Sequence, residues 1–382
     1  MGVIAFQTKK PDVPPVVVPL TLWSWGRNSS GQLGLGNTTS ISTPSQVGLL
    51  EDWSKVGGTF DSVASIRSNG TLWTSGENDY GQCAQINTND YSSPVQVGTD
   101  TDWAYVSSSG YDHVLAVKSD GKLWAWGKND YGQLGIGNVT HKSSPVQVGS
   151  LEDWSSVSAG TRFTLAIKTD GSLWSWGGQS QGELGTGINF TTPQSSPVQI
   201  GTDTDWDSVS CGSEHAAALK TDGTLWTWGK NSFGQLCHGN TVPLDEPNKV
   251  GILTDWSQLD CNANNVLVIK TDNTLWGCGN SYYGQLGNSN RTDKSSPTQV
   301  GIDSVWSLVN GGHLTVSAIR VDGTLWCWGY NNYGQLGVGN TNSYSSPVQV
   351  GTDTNWNDLT TKGKESLSWE MKLPLVIQGL LA

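Results

Sequence analysis

Side chains that carry chemistry at neutral pH are few in this chain, and none of them is grouped. Six cysteines are spread over 382 residues without a Cys-x-x-Cys pair, the spacing that zinc sites and dithiol redox centres use. Each replaces an ordinary residue of a recurring phrase: Cys83 a Leu, Cys237 a Gly, Cys278 a Trp and Cys327 a small residue, while Cys211 and Cys261 share one register. They read as buried or partly buried free thiols. His113, His141, His215, His238 and His313 lack ligand spacing and read as structural or surface residues. The loops "GTDTDW" at Gly98 and Gly201 and "GTDTNW" at Gly351 set carboxylates two apart, an oxygen-rich arrangement of the kind calcium takes. Without an EF-hand pattern they read as turns capped by Asp side chains. Glycoside hydrolysis needs paired carboxylates converging on one point, whereas the acids here sit in repeated turns. The expectation is no enzyme, no metal and no cofactor.

What the chain does repeat is architecture. A Leu-Trp pair recurs at Leu22, Leu72, Leu123, Leu173, Leu225, Leu275 and Leu325, at steps of 50, 51, 50, 52, 50 and 50 residues. Each unit continues through Gly-Gln/Glu-Leu/Cys, a "SSPVQVG"-like segment, an Asp-Trp or its variant, and a "VSxG…LAIKTDG" segment. All 20 tryptophans obey this grammar: twelve in the "LWxW" segments, seven at the Asp-Trp position (Trp53, Trp103, Trp154, Trp206, Trp256, Trp306, Trp356), and Trp369 in a final half-unit. Short aromatic or β-branched runs broken by "TDG" and "SNG" are hairpins, and nothing sustains a helical period. The chain reads as all-β. Four short strands per unit of about fifty residues are the signature of propeller blades. The last unit stops before its own "LWSWG", and the first "LWSWG" has no strands ahead of it. The strand Leu22–Gly26 is therefore expected to complete the C-terminal blade and close a ring of seven. In that closure "NDLTTKGKESLSWEMK" aligns without a gap to "SSVSAGTRFTLAIK", Leu359 matching Val157, Leu367 matching Leu165 and Trp369 matching Ile167.

The division is a Pro-bearing apolar extension at 1–20, the propeller at 21–372 and an apolar tail at 373–382. The extension is a poor secretory signal, because its lysines follow a short apolar run, and Phe6 breaks a myristoylation motif. No stretch reaches the roughly 18 to 20 apolar residues of a membrane span. With 21 basic against 33 acidic residues, a net charge of -12, broad contact with nucleic acid is disfavoured. Both end segments are suited to burying something, in cis on the rim or in trans for self-assembly. The candidate binding residues are the aromatics before "GQL": Tyr80, Tyr131, Phe233, Tyr283 and Tyr333, with Ser30 and Gln181 breaking the series. A circlet of aromatics on one face suits a protein partner or a glycan; the plainer reading packs each ring on the loop of its own blade. Unit four, with a longer loop around Phe190–Gln194, and unit five, with "CHGNTVPLDEPNKVG", are the irregular sectors.

The phrases "NDYGQLGIGN", "SSPVQVG", "SAGTRFTLAIKTDG" and "LWSWG" make the chain resemble the RCC1-type (regulator of chromosome condensation) repeat family, from Leu22 to about Lys372, in the Trp-rich style of bacterial and viral members. The resemblance implies a seven-bladed β-propeller and, from the best-known member, nucleotide exchange on a small GTPase and docking on chromatin. The chain departs from that member in its acidic charge, the lack of a basic N-terminal tail and the lack of a long insertion in any unit. The family's Gly-x-x-His motif is matched only at Gly110–His113 and Gly212–His215, with Phe163, Asn265 and Thr315 elsewhere. The leading expectation is a non-enzymatic platform for protein interaction or assembly, on a virion or cell surface, or else in the cytoplasm. The alternatives are a guanine-nucleotide exchange factor and a carbohydrate-binding propeller.

Overall fold

A computed structural model describes residues 20–58, 61–108, 112–188, 192–360 and 367–372. The end segments proposed for self-assembly, as well as Gly110 and Phe190, lie outside the described residues. Among the described residues every regular element is a β-strand, and the strands form seven four-stranded antiparallel sheets. One sheet shows how the sequence builds them all. Trp154–Ala159 is the inner strand, followed by Phe163–Lys168, Leu173–Gly177 and the outer strand Gln194–Gln199. The turn between the second and third strands uses Gly171 at φ +80°, where a Cβ would run into the Thr204 carbonyl, so the Asp-Gly pair is a steric requirement.

Period-two alternation places apolar groups on both faces of a strand. Leu123 and Ala125 pack in the cluster with Trp154, Val157 and Trp176 of the following sheet. Trp124 and Trp126 belong to the opposite cluster, with Ala64, Ile66 and Leu72 of the preceding one. Buried on both sides, the sheets are the blades of a β-propeller. Between blades the second indole of each "LWxW" acts as a bolt: Trp126, Trp176, Trp228 and Trp328 are fully buried, and each Nε1–H donates to a backbone carbonyl of the preceding blade, at Gln82, Gln133, Glu183 and Gln285, over 2.8–2.9 Å.

The ends of the described chain meet in one sheet. Thr21–Gly26 lies between Ile41–Gln46 and Leu367–Lys372, with Thr21 opposite Lys372 and Gly26 opposite Leu367. Trp25 bolts this sheet to the last complete unit through the Gln335 carbonyl at 3.1 Å. The gapless alignment, however, is corrected. Thr360 pairs with Trp369, whereas the equivalent Ser158 pairs with Leu165. Trp369 therefore takes the Leu165 position, Leu367 takes that of Phe163, and the connection is two residues longer than expected. An even slip keeps the period-two pattern in phase, so alternation could not reveal it.

The cysteine reading is corrected too. Cys83, Cys211, Cys261 and Cys327 are buried thiols, but Cys237 and Cys278 are joined as a disulfide, Cα to Cα 5.6 Å. Their positions in adjacent units meet across a seam, which a separation of 41 residues in sequence concealed.

Candidate interaction face

The two ends of the blades are built differently. One end gathers the Asp-Gly hairpins and the Asp-Trp loops, and there each cation is claimed from within. Lys220 Nζ lies 4.7 and 4.8 Å from the ring centres of Trp206 and Trp226, while Asp203 and Asp205 hold it at 2.6 and 2.9 Å. Lys118 repeats the arrangement with Trp103, Trp124, Asp100 and Asp102. Lys168, Lys270 and Arg320 occupy the same sandwich in their blades. Burial pulls the Lys118 and Lys220 ammonium groups down, but their two aspartates outweigh it and hold both above the usual lysine value. The carboxylate pairs after Gly98 and Gly201 thus close on a lysine of the same blade. Among the described residues no group of three or more His, Cys, Asp or Glu is placed to hold a metal ion.

The other end carries the Gly-Gln-Leu loops, each fixed by its own polar side chains. In the third unit Asn129 accepts the Leu134 N–H through Oδ1 at 3.0 Å and donates from Nδ2 to the Asn138 and Thr140 carbonyls. Gln133 Oε1 accepts the N–H of Tyr131 at 2.9 Å. The same glutamine contact holds Tyr80, Phe233, Tyr283 and Tyr333 at 2.8–2.9 Å, and Ser30 and Gln181 are held alike by Gln32 and Glu183. All seven loops therefore present position-equivalent side chains, whatever residue stands there. The glutamine sets the backbone and leaves the side chain free to vary.

The structure separates the five candidate aromatics. Tyr80 lies under Lys128 of the next unit at 4.2 Å and edge-on to His141 at 5.2 Å. Tyr131 lies under Arg162 at 4.6 Å and against Gly178. These rings pack across the seam to the neighbouring blade, not onto their own loops. Phe233 is half-buried. Tyr283 is flanked by Tyr330 at 4.7 Å and Tyr282 at 4.8 Å. Tyr282 is 68% exposed and Tyr333 39%, so exposed aromatic surface gathers in the last two units. Tyr282 and Tyr330 were not among the sequence candidates; the doubled aromatic in "SYYGQL" and the "GYNNYGQL" phrase are the signals that mark them. At irregular unit four, Gly178 replaces the larger side chains of its siblings, and a pocket opens between Tyr131, Arg162, Phe163, Glu183 and Glu214.

Two other groups of this end are titratable and sequestered. His113 Nε2 lies 3.2 Å from Thr164 Oγ1, and His215 Nε2 lies 3.2 Å from the Asn265 carbonyl, each bridging to the next blade. Full burial pushes them down to about 3 and about 4, so both are neutral imidazoles that act as inter-blade struts. Glu77 is pushed up to about 7, first by burial and then by the charges of Asp112, Asp61, Asp79 and Asp90.

Known proteins share this architecture. The chain is 30% identical over 221 residues to the Ultraviolet-B receptor UVR8 of Arabidopsis thaliana, covering 57% of this chain and 39% of that one. It is 31% identical over 140 residues to the probable E3 ubiquitin-protein ligase HERC6 of Homo sapiens, covering 35% and 14%. The chain thus spans less than half the length of these curated relatives. Prp20p of Saccharomyces cerevisiae superposes with a TM-score of 0.83 at 18% identity, covering 94% of this chain and 93% of that one. Human WBSCR16 gives 0.82 at 19%, covering 94% and 100%; both show the fold alone. The family model for the regulator of chromosome condensation (RCC1) repeat matches residues 21–58, 69–117, 120–167, 170–219, 222–269, 272–318 and 322–358, and the chain belongs to that repeat family.

Proposed function

We propose that the chain is a non-enzymatic, seven-bladed interaction platform that binds a protein partner through its Gly-Gln-Leu face. The observation that carries this reading is the exposed tyrosine surface of the last two units: Tyr282 is exposed beside Tyr283, which meets Tyr330, and Tyr333 is exposed on the equivalent loop of the last unit. Exposed, closely held aromatics are the usual anchors of protein interfaces. The setting on a virion or cell surface, the kinship to bacterial and viral members and self-assembly through the end segments belong to the proposal. The Trp-rich style of the repeats, the composition and the apolar end segments support them.

The test immobilises the full chain and its Y282A/Y333A variant and passes extract of the source organism over both. The platform reading expects a protein retained by the parent and lost by the variant, both chains having the same melting temperature. Equal retention by the two would overturn it. Prp20p, which shares the fold, has binding properties towards Gsp1p and histones, and this keeps regulation of a small GTPase as the second reading. Acceleration of nucleotide release from GTPases of the same source by the full chain would favour that reading. A glycan is the remaining ligand that stacks on exposed rings, and retention on immobilised polysaccharide, lost with the same two tyrosines, would identify it.

A further inference from the structure

One seam lacks the indole bolt and carries two cysteines in its place. At four other seams the second Trp of a unit lies over a glycine of the preceding loop, whereas Trp126 shares its core with Ala84 at the equivalent position. A Cβ on Gly135, Gly185, Gly287 or Gly337 would stand 2.6–2.8 Å from the Nε1 of Trp176, Trp228, Trp328 or Trp25. No side chain fits beneath these indoles. At the seam between the fifth and sixth units the glycine is Cys237, at φ +66°, and the tryptophan is Cys278. The two replacements complement each other: removing the indole alone would leave its volume empty, and the Cys237 side chain stands in the same buried cluster as Cys278. Cys278 Sγ lies 3.4 Å from the Gln235 carbonyl, the counterpart of the carbonyls that accept an indole N–H at the other seams, and only the reduced thiol has a proton to donate to it.

We infer that Cys237 and Cys278 form a redox-dependent lock that replaces the Gly–Trp bolt, so that this seam alone follows the thiol–disulfide state of its surroundings. The step balances with a low-molecular-weight disulfide as co-reactant. Two thiols give up two electrons and two protons, one S–S bond forms, and the co-reactant's S–S bond is cleaved to two thiols. Both sulfurs belong to the buried cluster with Trp256, Val266 and Cys261, so the formed bond is shielded from exchange while the blade is closed. The seam between the first and second units is the contrast. There Ser75 takes the tryptophan position opposite Gly34 with no cysteine on either side, and no redox dependence is expected of it.

The experiment uses the full chain equilibrated with glutathione disulfide, then denatured and alkylated with and without prior reduction. Intact mass is expected to show four labels without reduction, on Cys83, Cys211, Cys261 and Cys327, and six after it, with one cross-linked peptide pair containing Cys237 and Cys278. The melting temperature of the parent should fall by about 5 °C or more on reduction, while C237G/C278W, which restores the bolt, should melt alike in both states. Six labels without reduction, a cross-link through Cys261 instead, or a parent melting temperature indifferent to reductant would each overturn the inference. The labelling result stands even if C237G/C278W fails to fold.

Discussion

The hairpin rim and the Gly-Gln-Leu face are made by the same seven repeats, yet they use their side chains in opposite ways. On the rim, Lys118, Lys168, Lys220, Lys270 and Arg320 are each taken up by two indoles and by aspartates of the loop beside them. On the Gly-Gln-Leu face the glutamine or glutamate clamp holds only the backbone of the candidate position, and the side chain there runs from Ser30 through Tyr131 to Gln181. A repeat can conserve its architecture at one end and diversify at the other because the glutamine clamp grips main chain, not side chain. That difference is why the rim reads as framework and the other face as the place for a partner.

The sharpest way to break the comparison is to damage the framework. Trp206→Ala removes a buried indole that packs between Trp226 and Trp228, and chemical denaturation should show a loss of about 3–5 kcal/mol. Lys220→Ala should cost about 1–3 kcal/mol, since it empties the sandwich and leaves Asp203 and Asp205 facing each other. Rim substitutions should weaken partner retention only in step with unfolding. Tyr282→Ala is the converse: stability within about 0.5 kcal/mol of the parent and partner retention lower by about tenfold or more.

Smaller effects come from pH, and here two groups of the Gly-Gln-Leu end oppose each other. His113 and His215 titrate well below their unfolded value of about 6.5, so the unfolded chain binds more protons, and stability should fall as pH drops from about 6.5 towards 4. H113Q and H215Q should each flatten that slope in melts across the window. Glu77 runs the other way. Raised to about 7 when folded, it binds its proton more tightly folded than unfolded, and its contribution declines as pH rises from about 4.5 through 7. E77Q should therefore raise the melting temperature above pH 7 and change it little near pH 4.

Much of this was legible in the sequence because it recurs. The all-β class, the alternation of Leu123 against Trp124 and Trp126, and the joining of Thr21–Gly26 to the C-terminal strands all follow from a phrase repeated at a nearly constant step. What stayed hidden lies between units. The two-residue slip at Trp369 keeps the alternation in phase and so leaves no trace in the pattern. Cys237 and Cys278 look unrelated until the seam brings the Gly and Trp positions together. The aromatic candidates were legible as a series but not as individuals. Whether Lys128 or Arg162 roofs a tyrosine depends on the neighbouring blade, and Tyr282 and Tyr330 fall outside the series.

The rim has its own exposed aliphatic tips, Leu49, Ile252 and Ile302, each at least 90% exposed and carried by separate units, as isolated surface residues are. They supply the most direct test of the central claim. Partner retention from source extract should be measured side by side for Y282A/Y333A and L49S/I252S/I302S, both checked for parental melting temperature. The account predicts loss of the partner in the tyrosine variant and full retention in the rim variant. Loss in the rim variant with retention in the tyrosine variant would contradict it and place the interaction face at the opposite end of the blades.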